Sequence, residues 1–406
     1  MIDGWQRTEL GQHIDLLTGF PFKSSEYSDD ENAIRLLRGD NIIQGSIRWE
    51  GVKRWVNTVD QKIQRYELIP GDFVIAMDRT WVKAGLKASL VTDADVPSFL
   101  VQRVARLRAK KSLETHFLPM LIRGHKFEQY VKGVQTETAV PHISPQQIKD
   151  FPVALPPLPE QKAIAELLST WDEAIEKTER LIQAKEKRFK ELLRELIAEP
   201  RKTQKGAKWE NVKLEQVCKI ASKEKLSSVD GHFLLTVKLH CLGIERNDRF
   251  APTLTERGRP YYQHKSGDFL IGRQNFHNGG FGIIPPELDG GITSNAISCL
   301  IVNKSKLSKD FLWFQFANPS YYKKVGHVMD GTGQKELSDK QILKLKIYLP
   351  DLETQNQIAE ILSSAQHEIV LLKQLAEQYK TQKRGLMQRV LTGIWRMAPD
   401  AVMRYE

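Results

Sequence analysis

Residues 155–169 read LPPLPEQKAIAELLS, and 194 positions later residues 349–363 read LPDLETQNQIAEILS. Leu155, Pro156, Leu158, Gln161, Ile164, Ala165, Glu166, Leu168 and Ser169 recur in order as Leu349, Pro350, Leu352, Gln355, Ile358, Ala359, Glu360, Leu362 and Ser363. A repeat at so long a period marks a duplicated module, and duplication usually brings pseudo-twofold symmetry.

Each copy opens on a strand-like, proline-bearing lead-in, FPVALPPLPEQ from Phe151 and IYLPDLETQ from Ile347. Proline cannot sit inside a helix, which places the helix starts after Pro159 and after Pro350. From there the apolar spacing alternates steps of four and three. In the first copy it runs through Ile164, Leu168, Trp171, Ile175, Thr178, Ile182, Lys185, Phe189, Leu192 and Leu196. In the second it runs through Ile358, Leu362, Ala365, Ile369, Leu372, Ala376, Tyr379, Lys383, Leu386 and Val390. A 3.5-residue seam held this long predicts a coiled coil, with helices on the order of 55–60 Å long at ~1.5 Å per residue. Gly385 weakens the later helix by ~1 kcal/mol relative to alanine and is the expected place for fraying.

Charge sets the pairing direction. Residues 160–179 hold six acids against Lys162 and Lys177, whereas residues 180–205 hold nine bases against four acids. The later helix repeats the polarity, with Glu353, Glu360 and Glu368 early and Lys373, Lys380, Lys383, Arg384 and Arg389 late. Acid first and base last suits the helix dipole. It also favours an antiparallel pair, in which each acidic half faces a basic half.

The segments before the helices share a plan and diverge in residues. Short strand signals open both, Trp5 to Leu10 and Trp209 to Leu214, and a Gly-Asp turn precedes GDFVIA at Gly71 and GDFLIG at Gly267. Strand runs at Ser98 to Leu107 and Asn295 to Val302, and helical runs at His116 to Val131 and Lys309 to Val325, predict mixed α/β (α+β) heads. A Ser-x-x-Gln-Ile phrase, Ser144 to Ile148 and Ser338 to Ile342, leads to each helix. The expected order is head 1–150, helix 151–199, linker 200–208, head 209–345, helix 346–393 and tail 394–406.

The chain has 406 residues, 41% of them apolar, with a formal charge of +10, which suits a nucleic-acid partner without requiring one. Cys218, Cys241 and Cys299 form no CxxC pair, so neither a metal site nor a disulfide framework is expected from them. The first residues lack a signal-like apolar core and no window approaches ~18 apolar residues, so the expectation is a cytoplasmic protein off the membrane. No GxxxxGK[ST] loop, HExxH motif or Asn-Pro-Pro-aromatic tetrapeptide is present. Gly331 and Gly333 read as a turn. Asp150, Glu160 and Lys162 resemble a metal-nuclease pattern, but the second copy has Lys344, Thr354 and Asn356 there, so Glu160 reads as a first-turn helix acid.

What remains is basic and amide side chains in the heads. In the first, Arg35, Arg38, Asp40 and Asn41 cluster, Arg79, Lys83 and Lys87 follow the Gly-Asp strand around Trp81, and Gln102 precedes Arg103. In the second, the counterparts are Lys238, His240, Arg273, Gln274, Asn275, His277, Asn278 and Asn295, with a glycine-rich run from Gly279 to Gly282. Forked Arg, Asn and Gln side chains can read base edges, and Lys mostly positions phosphates.

At the repeated LPPLPEQ and LPDLETQ leads with their heptad helices, the whole chain resembles the specificity subunits of type I restriction-modification systems. The resemblance implies two target-recognition domains, each followed by a spacer helix, joined as an antiparallel two-helix coiled coil with pseudo-twofold symmetry. It implies a non-catalytic reader of double-stranded DNA, each head taking half of a bipartite target about one helical turn (~34 Å) from the other. The seam residues Ile164, Leu168, Trp171, Ile175, Ile182, Phe189, Leu192, Ile358, Leu362, Ile369, Leu372, Tyr379 and Leu386 would form the coiled coil. The spacers would dock two methyltransferase subunits, and restriction subunits would join them. S-adenosylmethionine, ATP and magnesium would then belong to those partners and none to this chain. A protein-binding scaffold with two globular heads is the competing expectation.

Overall fold

The computed structural model describes residues 4–56, 61–82, 85–134, 142–198, 208–255, 258–326 and 336–405. Lys83, the glycines Gly331 and Gly333, and the linker apart from Lys208 lie outside the described residues. The chain divides into two compact units, Met1–Lys177 with Ala376–Glu406, and Thr178–Leu375. Each consists of one head and a portion of both long helices.

In the first unit, the opening strand Gln6–Glu9 pairs antiparallel with the lead-in Pro152–Leu155, Gln6 opposite Leu155. A four-stranded antiparallel sheet follows the order Ala88–Leu90, Phe73–Ala76, Val104–Ala109, Ile14–Thr18. The Gly-Asp strand Phe73–Ala76 lies inside that sheet with every residue buried. A second sheet sets Ile34–Leu37 between Ser98–Leu100, which is parallel to it, and Arg54–Trp55. The expected single run from Ser98 to Leu107 is thus two strands of two sheets, because the chain turns at Arg103 in the left-handed region (φ 66°). The helical run is likewise two helices, Phe117–Arg123 and His125–Val134, parted by the extended Gly124. Phe73, Ile75, Leu107, Phe117, Phe127 and Phe151 close the core together with Ile164 and Leu168 of the long helix.

The second unit repeats the plan. Glu210–Lys213 pairs antiparallel with the lead-in Lys346–Leu349. The antiparallel sheet runs Cys218–Ile220, Ile297–Val302, Phe269–Gly272, Phe281–Ile283, again with the Gly-Asp strand inside it. The other sheet orders Ile244–Asn247, Leu234–Val237, Ile292–Ser294, Tyr261–Gln263, and Leu234 meets Ile292 in parallel. Helices Lys309–Ala317 and Pro319–Val325 part at Asn318, which Pro319 holds out of the helical region.

The Gly-Asp phrase recurs because one turn is built twice. Gly71 (φ 92°) and Gly267 (φ 80°) adopt a backbone that a side chain would strain. The following carboxylate then accepts from the amide three residues earlier, Asp72 from Ile69 at 3.0 Å and Asp268 from Lys265 at 3.1 Å.

The central helix spans Leu158–Leu193 and ends in a π-helical turn, Arg194–Ala198; the C-terminal helix spans Leu352–Leu391. Their 36 and 40 residues give lengths of about 54 and 60 Å. The central helix begins one residue ahead of Pro159, which sits in the first turn, where its missing amide costs nothing. The C-terminal helix runs unbroken through Gly385. Every expected seam position is buried or half-buried.

Pairing is antiparallel in both units. In the first, Trp171 meets Tyr379 edge-on at 5.8 Å and Lys383 pairs with Asp172. In the second, Lys185 pairs with Glu368 at 2.7 Å and Lys373 with Glu186 at 2.6 Å. In the first unit Val390 shares the core of Ile164 and Leu168, while Tyr379 meets the later Trp171. In the second, Leu193 and Ile197 share the core of Ile358 and Leu362, while Lys185 meets the later Glu368. Within each unit, partner numbers therefore fall along one helix as they rise along the other. Asp172–Lys383 and Lys185–Glu368 are the acid-half to base-half contacts that the charge polarity predicts. Among the described residues no helix is long and apolar enough to cross a membrane.

Candidate nucleic-acid interface

In each head the candidate side chains gather where the Gly-Asp strand ends. In the first, Phe73–Ala76 leads into Asp78 and Arg79, while Arg103 and Lys87 precede the flanking antiparallel strands, so all lie at one end of the sheet. The loop after Ile34–Leu37 joins them, since Gly45 donates its amide to the Ala88 carbonyl at 3.0 Å. Burial lowers the pKa of the Lys87 ammonium, Asp40 opposes the shift and Arg79 adds to it, which places these groups within electrostatic reach of one another.

Two carboxylates organise this end. Asp40 pairs with Arg38 at 3.2 Å, and Asp78 accepts from Arg103 Nη1 at 3.0 Å while contacting His142 Nδ1 at 2.6 Å. The Arg103 side chain remains 72% exposed, and Gln102 beside it is exposed as well. Two candidates are spent on the fold instead. Arg35 donates to the carbonyls of Ala94 at 3.0 Å and Val96 at 2.9 Å and stacks on Trp49 at 4.3 Å. Asn41 is buried; it accepts from the Arg38 amide and donates to the Arg48 carbonyl, closing its own loop. Lys83 falls outside the described residues.

The second head ends the same strand in Arg273, Gln274 and Asn275, with Asn295 preceding the neighbouring strand and Gly279 and Gly280 the other. Gly280 holds the turn together by donating to the Asn275 carbonyl at 2.9 Å, and the backbone amides of His240 and Cys241 dock on it by donating hydrogen bonds to the carbonyls of Asn278 and Gly279 at 2.7 and 2.9 Å. Asn275, Asn295 and His240 are exposed; Gln274, His277 and Asn278 are half-buried. Arg273 is tied to Glu336 at 2.7 Å, and Lys238 to Glu245 at 2.9 Å. His277 Nδ1 and Arg273 Nε are buried without a hydrogen-bond partner.

Backbone strain is concentrated at these surfaces. Among the described residues the non-glycine positions with positive φ are Arg79, Arg103, His240 and Cys241, all in the two clusters. Such conformations cost of order 1–3 kcal/mol and collect where a side chain must be aimed.

At the opposite end of the Gly-Asp strand from the second cluster lies a part-buried ionic network. Lys223 Nζ is 2.6 Å from Asp268 and 2.9 Å from His264 Nδ1, whose Nε2 meets Thr293 Oγ1 at 2.7 Å. The ligand-type atoms of His264, Asp268 and Cys299 lie within 4.8 Å of one another, with the lysine ammonium supplying positive charge there. Burial lowers the His264 pKa. Burial would raise that of Asp268, but hydrogen bonds from His264, Lys223 and the Lys265 amide outweigh it and hold the carboxyl well below its usual range. In the first head the same position is served by a bidentate pair, Arg108 to Asp72 at 2.6 and 2.9 Å.

A repeated glutamine latches each head to its helix. Gln161 accepts from the Glu114 amide at 2.9 Å and donates to the carbonyls of Pro156 at 2.9 Å and Ser112 at 3.3 Å. Gln355 accepts from the Ser308 amide at 2.9 Å and donates to Pro350 at 2.9 Å and Lys306 at 3.0 Å. Every partner is displaced by the 194 residues of the repeat. In the sequence this glutamine shows only as one identity of the repeat, with no role attached. The available signal was a polar residue kept between changing neighbours, Glu160 and Lys162 against Thr354 and Asn356. The Ser-x-x-Gln phrases are matching capping boxes at Ser144 and Ser338. Glu160 is more than a first-turn acid: it is buried, takes Arg396 of the tail through two bonds at 2.7 and 2.9 Å, and accepts from Trp5 Nε1 at 3.2 Å.

An α/β head made twice, each latched to an antiparallel helix pair and each ending one sheet in exposed polar side chains, defines a duplicated recognition module. The family model described as the type I restriction modification DNA specificity domain matches residues 2–186 and again 206–380, and the chain belongs to that family. The specificity subunit of the type I restriction enzyme MjaVIII of Methanocaldococcus jannaschii is 31% identical over 175 residues, 43% of this chain and 41% of that one. That of EcoAI of Escherichia coli is 30% identical over 180 residues, 44% and 30% of the two chains. These matches therefore span less than half the length of either relative. The putative MjaX specificity subunit of Methanocaldococcus jannaschii aligns over 96% of this chain and 93% of its own at 27% identity. The crystal structure of the type I restriction-modification S subunit from M. genitalium shares the fold, with a TM-score of 0.60, 14% identity and coverage of 95% and 96%.

Proposed function

We propose that each head reads one half of a bipartite duplex DNA target, that the antiparallel helices set the separation of the halves, and that the same helices dock two methyltransferase subunits to which restriction subunits add. The chain itself would carry out no reaction; S-adenosylmethionine, ATP and magnesium would be held by those partners, in the cytoplasm. One observation carries this reading. The two polar clusters occupy the same end of the same sheet in a duplicated fold, yet their residues differ, as two readers of different sequences require. Direct base contacts come from such forked side chains, and the surrounding lysines and backbone amides supply phosphate contacts.

Docking is supported by the outer face of the C-terminal helix. Ile361 and Leu371 are exposed there, and Leu371, Leu372 and Leu375 line a groove with Ser364 and His367. A second apolar stripe beside the buried seam is what a further helix would cover.

Methylome sequencing of the host with and without this gene tests the function. Loss of one bipartite adenine mark, regained on complementation, is the expected result. An unchanged methylome would refute it.

A further inference from the structure

We infer that the two heads read half-sites of different composition: the first head selects guanine-bearing positions and the second selects adenine·thymine positions. The inference rests on the heads being DNA readers and adds which bases each one takes. In the major groove guanine offers two acceptors, O6 and N7, to which one guanidinium can donate twice. Adenine offers an acceptor at N7 and a donor at N6, which only a side chain that both donates and accepts can match, and amides do.

The clusters divide along that line. The first head brings Arg38, Arg79, Lys87 and Arg103 to its sheet end, and these groups only donate. Arg79 is exposed at φ 48° and Arg103 at φ 66°, so the two guanidinium groups stand on strained backbone at the ends of adjacent strands. Asp78 holds Arg103 by Nη1 alone, which fixes the plane of the fork and leaves most of the side chain in solvent. The second head presents amides: Asn275 and Asn295 are exposed, with Gln274 and Asn278 half-buried beside them. Its arginine at this place, Arg273, is occupied by Glu336 at 2.7 Å and only 23% exposed, and Lys238 is held by Glu245. The histidines His240 and His277 add groups that can donate from one ring nitrogen and accept at the other. Gln102 adds one exposed amide to the first cluster and Asp40 holds Arg38, so the division is one of balance: Arg79, Lys87 and Arg103 outnumber that amide in the first head, and donor-acceptor groups outnumber the tied Arg273 and Lys238 in the second.

Methylation motifs determined in the host, with the chromosomal gene replaced by variants, test this. R79K and R103K keep the charge and remove the fork, so a folding failure is not the expected outcome; N275A and N295A remove the amides. For R79K or R103K the expected result is a loss of about tenfold or more in discrimination at a guanine position of one half-site, the other half-site being unchanged. For N275A or N295A the relaxation is expected at an adenine·thymine position of the other half. A bipartite mark that persists while the arginine variants relax only adenine·thymine positions, or relax nothing, overturns this inference and leaves the proposed function standing. A methylome with no bipartite mark dependent on the chain overturns both.

Discussion

Replacing Gln161 or Gln355 by alanine removes three neutral hydrogen bonds from a side chain that is 1% exposed in either copy. At a net ~0.5–1.5 kcal/mol per bond, the loss is about 3 kcal/mol for each latch. The two amides that donate to these glutamines report on it directly. Where exchange is limited by local opening, ~1.4 kcal/mol corresponds to a tenfold change, so about 3 kcal/mol lowers protection on the order of 100-fold. Segment-resolved hydrogen exchange should therefore show the Glu114 amide deprotected in Q161A and the Ser308 amide in Q355A, each without the other. Gln→Glu keeps the acceptor but turns the donor toward two carbonyls into a third acceptor, and should restore protection only in part. A change of less than about threefold, or a large effect in one copy alone, would refute the idea that one latch was duplicated with the module.

Arg396→Ala leaves the buried Glu160 carboxylate with Trp5 alone, and should destabilise the first unit by about 3 kcal/mol; a cycle with E160Q measures the coupling, and a coupling near zero would contradict it. Head two should be acid-labile in two steps. His264 has a folded pKa below its usual 6.5, so stability falls as the pH drops below about 6.5, and Asp268, held below 3.8, removes more as the pH drops below about 4. Exchange rates measured against pH should show both steps, with H264Q losing only the upper one. Arg35→Ala should loosen residues 94–97 and lower DNA affinity without changing which bases are read, as binding to specific and random duplexes would show.

The helices were legible because they obey a single period: seam, charge polarity and proline leads all point to an antiparallel pair, and Asp172–Lys383 and Lys185–Glu368 are its contacts. The Gly-Asp strands were legible because a positive-φ glycine and a turn-closing carboxylate leave few alternatives. Sheet membership was not. Ser98 to Leu107 reads as one apolar run, and only the left-handed turn at Arg103 divides it between two sheets. For the interface, composition marked Arg79, Arg103 and Asn275 but equally Arg35 and Asn41, because a forked side chain serves a backbone carbonyl as well as a base. Which role it takes depends on partners far along the chain, such as Val96 for Arg35, and sequence spacing does not carry that information.

The separation of the two half-sites puts the whole account at risk in one measurement. Seven residues inserted after Ile182, with seven more after Leu372 opposite, preserve the seam and extend the helix pair by ~10 Å, about three base pairs at ~3.4 Å each. Methylome sequencing of that variant should return both half-sites unchanged with the gap between them longer by about three base pairs. An unchanged gap, or an altered half-site, would contradict the division of labour between heads that read and helices that measure.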